Sequence, residues 1–273
     1  MFKRRETEAV SPERAVYLAK KRGRKRLIFW IQIAAIALLV LLWEGLAQMG
    51  IIDSFIMSQP SRMVRTFINL LRTDLMLHLA VTCAETLAGF LLGTALGVGL
   101  AILLWWSDLL SKICEPFLVI LNALPKIALG PVFIVWVGAG VQAIIVMALA
   151  ISLIVTVMEM LNGFSGTDPD LLRMAKTFGA DRKQLFCKIV LPNNLGTLFH
   201  AMKVNIGLSL VGVIAGEFLV SKAGLGYLIV YGGQVFQLDL VMTSVVILAV
   251  VAAVLYHSVV LAEMIAEKRF RHR

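Results

Sequence analysis

Charge is scarce in this chain. Only 16% of its 273 residues are Asp, Glu, Lys or Arg, whereas a soluble domain carries about a quarter. With 59% hydrophobic residues and a mean hydropathy of +0.87, the composition suits a chain whose solvent is partly lipid. Cysteine is scarce too. Cys83, Cys114 and Cys187 are odd in number and far apart, so neither a disulfide framework nor a zinc spacing is present. The four histidines, His78, His200, His257 and His272, are equally scattered. No lysine follows a glycine, which excludes the G-x-x-x-x-G-K-[ST] phosphate loop and ATP hydrolysis by that route. Paired catalytic carboxylates and nucleophile–base patterns are also missing. The sequence therefore points away from an enzyme, and to no cofactor or metal bound by this chain.

Charge of one sign dominates what remains, at a net +9. A high pI can mark a nucleic-acid binder. Here the basic residues gather at the two ends and in one loop, between long apolar runs, which fits the positive-inside bias of membrane proteins and no nucleic-acid role.

A membrane helix needs about 20 mostly apolar residues, since each adds about 1.5 Å across a core of about 30 Å. Five runs meet this: residues 27–49, 79–106, 141–158, 198–220 and 241–261. The first is too long for the core of a signal peptide, so it reads as an uncleaved span. A sixth stretch, 113–137, is apolar but interrupted by Asn122, Pro125, Lys126, Gly130 and Pro131. Proline removes a backbone donor and clashes with the preceding turn, so a kink or break is expected. Freed carbonyls must find partners in protein or in a water-lined path, which predicts that this segment faces the bundle interior and not bulk lipid.

Six crossings put both termini on one side. Of the 26 Lys and Arg, ten lie in residues 1–26, five in 161–197, four in 262–273 and one in 107–116. The opposite side has three in 50–77 and one in 221–240. The bias places both termini and the 161–197 loop in the cytoplasm. The division that follows is a basic tail (1–26) suited to anionic headgroups, a transmembrane domain (27–265) and a second basic tail (266–273).

The 161–197 loop is the longest connection without membrane-length apolar sequence. Thr167 or Asp168 can cap a helix, with Pro169 suited to its first turn. Leu171, Leu172, Ala175 and Phe178 recur at helical spacing, and Gly179 is a good terminator. A second short helix should start near Arg182, group Leu185, Phe186 and Ile189, and end at Pro192. The loop is thus a helical hairpin with apolar side chains to bury.

Within it, Ala175, Gly179, Ile189, Leu191 and Pro192 stand at the spacing E-A-A, three residues, G, nine residues, I-x-L-P. In this the chain resembles the permease subunits of ATP-binding-cassette (ABC) importers. It departs at the start, where Arg173 and Met174 replace the Glu and Ala of the pattern. Leu-Pro-Lys-Ile-Ala-Leu-Gly-Pro from Leu124, Trp136-Val-Gly138, Gly216-Glu217 and the run Gly224-Leu-Gly226-Tyr-Leu-Ile are similar to one branch. That branch comprises permeases for nitrate, taurine, aliphatic sulfonates and pyrimidine-type vitamin precursors. The resemblance covers roughly residues 60–265.

It implies an all-α integral membrane fold of six transmembrane helices with a cytoplasmic coupling-helix hairpin, the type I importer permease (MetI-like). The implied coupling residues are Leu171, Leu172, Ala175, Phe178, Gly179, Ile189, Leu191 and Pro192. The implied partners are two ATPase subunits that use ATP and Mg, an extracytoplasmic binding protein and a second permease subunit, by default an identical copy in the same bilayer. Asn122, Pro125, Lys126, Pro131 and Glu217 are the candidates for a translocation path or gate.

Four ionisable residues fall within or near the ends of spans, where charge is costly and usually partnered. Glu44 is expected at an interface, Glu85 lies early in its span, and Lys203 is expected to snorkel. Glu217 has two readings: a buried carboxylate fixing a helix end through backbone hydrogen bonds, or a group in the substrate path. Gly89, Gly93, Gly97 and Gly99 allow close helix approach, either within the subunit or between subunits. Two other classes of membrane protein would carry different signatures. An ion-coupled carrier would usually be longer, with inverted repeats and midplane ionisable clusters. A membrane-embedded enzyme needs a polar catalytic cluster. Neither pattern is visible.

The charge bias makes a direct prediction. A reporter active only outside the cytoplasm should be silent after Arg273 and active within residues 223–239. The reverse pattern would overturn the cytoplasmic assignment of the hairpin.

Overall fold

The computed structural model describes residues 12–270, and every regular element among them is helical. Two compact units divide at Val64 and Arg65.

The N-terminal unit is built on α1 (Pro12–Gln48), whose apolar part, Arg26–Gln48, is long enough to cross a bilayer. Residues 12–26 of the basic stretch belong to the same helix, and residues 1–11 lie outside the described residues. A short α2 (Ser54–Met57) follows, its first turn capped by the Asp53 carboxylate on Phe55 N–H at 2.8 Å. The next helix, α3 (Pro60–Arg72), begins with Ser61 N–H donating to Glu44 Oε2 at 3.0 Å, while Gln48 Nε2 donates to Glu44 Oε1 at 2.8 Å. First-turn amides have no partner within their own helix and carry partial positive charge. Glu44 meets both needs, as a carboxylate at a helix end should.

The second unit holds the remaining spans: α4 (Leu75–Trp106), α5 (Asp108–Ala123), a 3₁₀ turn (Lys126–Leu129), α6 (Gly130–Val137) and α7 (Val141–Ser165). Next come α8 (Pro169–Thr177), α9 (Arg182–Leu185), a π-helical turn (Phe186–Val190) and α10 (Leu191–Asn193). The chain then forms α11 (Leu195–Val220), α12 (Leu225–Gln234) and α13 (Leu238–Phe270).

Glycines set how α4, α7 and α11 meet. A Cβ on Gly89 would strike Ala148 at 2.7 Å, one on Gly93 the Ser152 hydroxyl at 2.5 Å, and one on Gly97 Thr156 at 2.7 Å. The pairs step together along both chains, so α4 and α7 run parallel. On α11, Gly212 faces the Ala148 backbone and Gly216 that of Ile144, stepping in opposite senses, so α11 is antiparallel to α7. Gly89, Gly93 and Gly97 therefore serve packing within the chain, whereas Gly99 has nothing within 4 Å.

Parallel α4 and α7 also settle the broken segment. The chain must return across the bilayer between them, so α5 and α6, bent by 85° at their junction, form one broken crossing rather than a loop that re-emerges on the same side. With α1, α4, α7, α11 and α13 this makes six among the described residues. The segment does not face the interior of this chain's bundle, however: no residue of α5 is buried, and in α6 only Gly130 is. At the break itself Lys126 Nζ donates to Asn122 O at 3.0 Å and Ala128 N–H to Pro125 O at 2.9 Å.

The last span, α13, packs Ile247, Val251, Leu255 and Val259 against Ile206, Leu210 and Ile214 of α11. Lys203 does more than snorkel. Its Nζ pairs with Glu263 of α13 at 2.9 and 3.0 Å, mostly out of solvent.

Gly212→Ala should push α11 off the α7 backbone, where the nearest atoms are Ala148 Cα at 2.5 Å and N at 3.0 Å. Overpacking of this kind costs about 1–3 kcal/mol. Thermal unfolding in detergent should show a clear drop in Tm, while Gly99→Ala should leave it unchanged or raised.

Candidate functional site

At one end of the α4–α7–α11 core sits the hairpin. Its first helix, α8, starts with Asp168 accepting from Asp170 N–H at 2.8 Å, with Pro169 in the first turn. It stops at Gly179, whose φ of +79° suits a residue without a side chain. Ala180 N–H bonds Ala175 O at 3.1 Å and Gly179 N–H bonds Lys176 O at 2.9 Å, the paired closing bonds of a glycine C-cap. A capping box follows: Asp181 accepts from Gln184 N–H at 2.6 Å, and Asp181 N–H donates to Gln184 Oε1 at 3.0 Å.

The second arm anchors the hairpin. Leu185, Phe186 and Val190 are buried, and Phe186 packs among Trp105, Trp106 and Phe164 with centroids 5.1–6.1 Å apart. Arg182 donates to Asp108 at 3.2 Å and lies 6.0 Å from the Trp105 ring centroid. At the base, Asn194 Nδ2 donates to Thr167 Oγ1 and Val190 O, both at 2.9 Å, joining the two ends of the loop.

One expectation fails here. Pro192 does not end the second arm, which runs on to Asn193. A proline inside a helix lacks an N–H and crowds the carbonyl four residues back. The π turn just before it widens the ladder, with Leu191 N–H reaching Phe186 O, and the proline fits.

The coupling candidates separate into two faces. Leu172 packs down on the core cluster with Leu191, while Ala175 and Ile189 are half-buried. Leu171, Met174 and Phe178 point outward, Phe178 at 83% exposure. Gly179 and Pro192 are exposed as well. Met174, one of the two departures from the motif, thus contributes to the outward apolar face.

At the opposite end, Glu217 is 1% exposed. Its Oε1 accepts from Thr82 Oγ1 at 2.7 Å and its Oε2 from Gly226 N–H at 2.5 Å. Thr82 Oγ1 in turn accepts from Leu225 N–H at 2.8 Å, and His78 Nδ1 accepts from Gly224 N–H at 2.9 Å. Side chains of α4 and α11 together thus satisfy the first amides of α12, a helix end that attracts negative charge. A Cβ on Gly224 would collide with the Glu217 carboxyl, and one on Gly226 would lie 2.8 Å from it. Glu85 lies within hydrogen-bonding reach of Glu217, and its Oε2 is buried without a partner among the described residues. Ser209 Oγ and Asn205 Oδ1 are buried and unpartnered likewise.

The path candidates do not converge. Asn122 and Lys126 contact each other at the break beside Pro125, on the outside of the chain. Pro131 lines an open apolar groove of about 750 Å³ with Leu210, Ile214 and Phe218 of α11 and Leu248 of α13. Glu217 faces α4 and α12 instead. Sequence reading missed Thr82 and His78, since a threonine in an apolar run carries no hydropathy signal. No group of three or more metal-ligating side chains occurs among the described residues.

Residues 89–272 match the binding-protein-dependent transport system inner membrane component family. The chain belongs to this family. It is 28% identical to a putative aliphatic sulfonates transport permease of Bacillus subtilis, over 92% of this chain and 91% of the relative. It is 27% identical to a formylaminopyrimidine transport permease of Halalkalibacterium halodurans, over 70% of this chain and 76% of the relative. Its fold is that of a subunit of the MetNI methionine ABC transporter in an inward-facing state, with a TM-score of 0.63 and 19% identity over 71% of this chain and 96% of that one. The chain is therefore the permease component of an ABC importer, a multi-pass inner-membrane protein and a transport subunit rather than an enzyme. Membership implies work alongside an ATPase and a binding protein, and the permease family has no cofactor of its own.

Thr82→Val in this permease should leave Leu225 N–H unsatisfied and take one donor from Glu217. Each such loss costs about 1–3 kcal/mol. The variant should melt well below wild type, whereas Thr82→Ser, which keeps the hydroxyl, should restore most of the difference.

Proposed function

We propose that two copies of this permease form a translocation path through the bilayer, driven by two ATPase subunits that seat α8 and consume ATP and Mg. The observation that carries this reading is the outward face of α8. Leu171, Met174 and Phe178 stand exposed on a helix that packs Leu172 against the core cluster and is tied at its base through Thr167 and Asn194. Apolar side chains held out on a rigid support suit a protein groove. A helix so held can pass on a rigid-body movement, which a flexible loop cannot. Leu172, Ala175, Gly179, Ile189, Leu191 and Pro192 then support the docking face rather than form it.

Both termini and the hairpin are cytoplasmic in this reading, with residues 1–26 and 266–273 as basic tails. The solute is small and delivered by the extracytoplasmic binding protein: a sulfonate, taurine, nitrate or a pyrimidine-type vitamin precursor. The relatives' transport of aliphatic sulfonates and formylaminopyrimidine supports that range. Glu217 acts as a structural clamp on α12, because both its oxygens are engaged. Asn122, Pro125, Lys126 and Pro131 belong to the path side, where the broken span is uncovered by this chain's own helices.

Gly179→Val places a β-branched residue at φ +79°, a strained conformation even though no atom lies within 4 Å of the new Cβ. It should leave membrane insertion intact, weaken ATPase co-purification and abolish uptake. Ala175→Asp should act alike, and Phe178→Ala should reduce ATPase recruitment without changing subunit stability. Normal ATPase binding and uptake in all three variants, at matched expression, would remove α8 as the coupling element.

A further inference from the structure

We infer that the last two turns of α3 form a lipid-binding surface helix that takes an anionic phospholipid at the bilayer surface. Its position follows from the chain path. Arg72 ends α3, and α4 enters the membrane from Leu75, so α3 lies where the bilayer meets water. Its rotation is fixed by Leu70, which packs against the core cluster of α4, α11 and α13. Successive helical residues turn by about 100°, so each side chain can be placed around the axis from Leu70. Phe67, Leu71 and Ile68 fall at roughly 60–160°, and all three are exposed. Arg72 and Arg65 come next, at roughly 200–220°, also exposed.

The helix therefore presents an apolar flank bordered on one side by two cations, in one sweep outward from the bundle. Protein partners of a permease could use either half, but the ordered sequence of the two suits lipid. Acyl chains lie below a headgroup phosphate, and a surface helix buries its apolar flank in the first and keeps arginine at the second. Because Leu70 holds the helix against the bundle, the lipid would occupy a fixed place rather than a diffuse annulus. This surface is separate from α8, Glu217 and the broken span, and does not depend on the roles proposed for them.

The test is a titration of purified full-length permease with phosphatidylglycerol and phosphatidylcholine, read by native mass spectrometry. The double variant Arg65→Gln/Arg72→Gln should bind phosphatidylglycerol more weakly by about fivefold per arginine, with phosphatidylcholine binding little changed. Lys222→Gln, a control cation in another loop, should bind phosphatidylglycerol as wild type does. Ile68→Asn should weaken binding of both lipids. Wild-type phosphatidylglycerol binding by the double variant, or an equal loss in Lys222→Gln, would overturn the inference. So would a double variant that keeps its lipid but loses binding-protein-dependent uptake, which would assign the face to a protein partner.

Discussion

A carboxylate buried in an apolar bundle must be surrounded by donors, and the far end of this permease is arranged around that requirement at Glu217. The donors are a hydroxyl from α4 and the opening amides of α12. Each donor has its own need. The α12 amides have no partner within their helix, and Thr82 must both give and receive. One group therefore locks three helices, because removing any of them leaves the other two with unpaired polar atoms. The glycines at 224 and 226 follow from the same contact, since a side chain at either position would displace the carboxyl. Gly216, one residue before Glu217, brings α11 against the Ile144 backbone so that the carboxylate is presented to α4 and not to lipid.

Between lipid-solvated helices the hydrophobic effect supplies little association, so close packing and polar contacts do that work. The core shows both. Gly89, Gly93 and Gly97 accept the small side chains of α7, and Asn205 Nδ2 donates to Thr94 Oγ1 at 2.6 Å across the α4–α11 seam. The Lys203–Glu263 pair does the same for α13 near the cytoplasmic end proposed for the bundle. These contacts are specific in register: sliding either helix by a residue would set side chains against backbone.

Local chemistry was legible in the sequence, and tertiary chemistry was not. Asp168, Pro169 and Gly179 announce a capped, glycine-ended helix because each acts on neighbours a few residues away. The span positions follow from hydropathy, and the family from the spacing of Ala175, Gly179, Ile189, Leu191 and Pro192. By contrast, Thr82 and Glu217 are far apart in the chain, and nothing near Thr82 distinguishes it from a threonine facing lipid. The same distance hides Glu263 from Lys203. Pro192 misleads for a subtler reason. Proline normally ends a helix, but a π turn supplies the room it needs, and that turn has no signature of its own in residues 186–190. The broken span is expected in the bundle interior because freed carbonyls need partners in protein or along a water-lined path, yet this chain's own helices leave it uncovered. At the break Lys126 reaches back to Asn122 O, a contact between neighbours that the sequence spacing allows but does not announce.

The two ends of the molecule are joined by the same helices. α11 (Leu195–Val220) starts beside Asn194, which closes the base of the hairpin, and over its 26 residues carries Glu217 and the α12 clamp near its far end. At about 1.5 Å per residue that is a rod of about 40 Å, the depth of the bilayer with its interfaces. α4 spans the same interval, with Thr82 at the clamp and Trp105 against Phe186 of the hairpin. The core glycines hold both rods to α7. In the proposed reading a push on α8 would pass through Leu172 and the Gly179 turn to the second arm, which is anchored by aromatic packing and tied at its base. In a permease moved by a cytoplasmic ATPase, the α4–α7–α11 core would then tilt as one body. The compliance that opening a path demands would lie at the least buried and most broken element, the α5–α6 span with its 85° bend. Rigidity in three helices and a break in the fourth are thus complementary requirements of one movement.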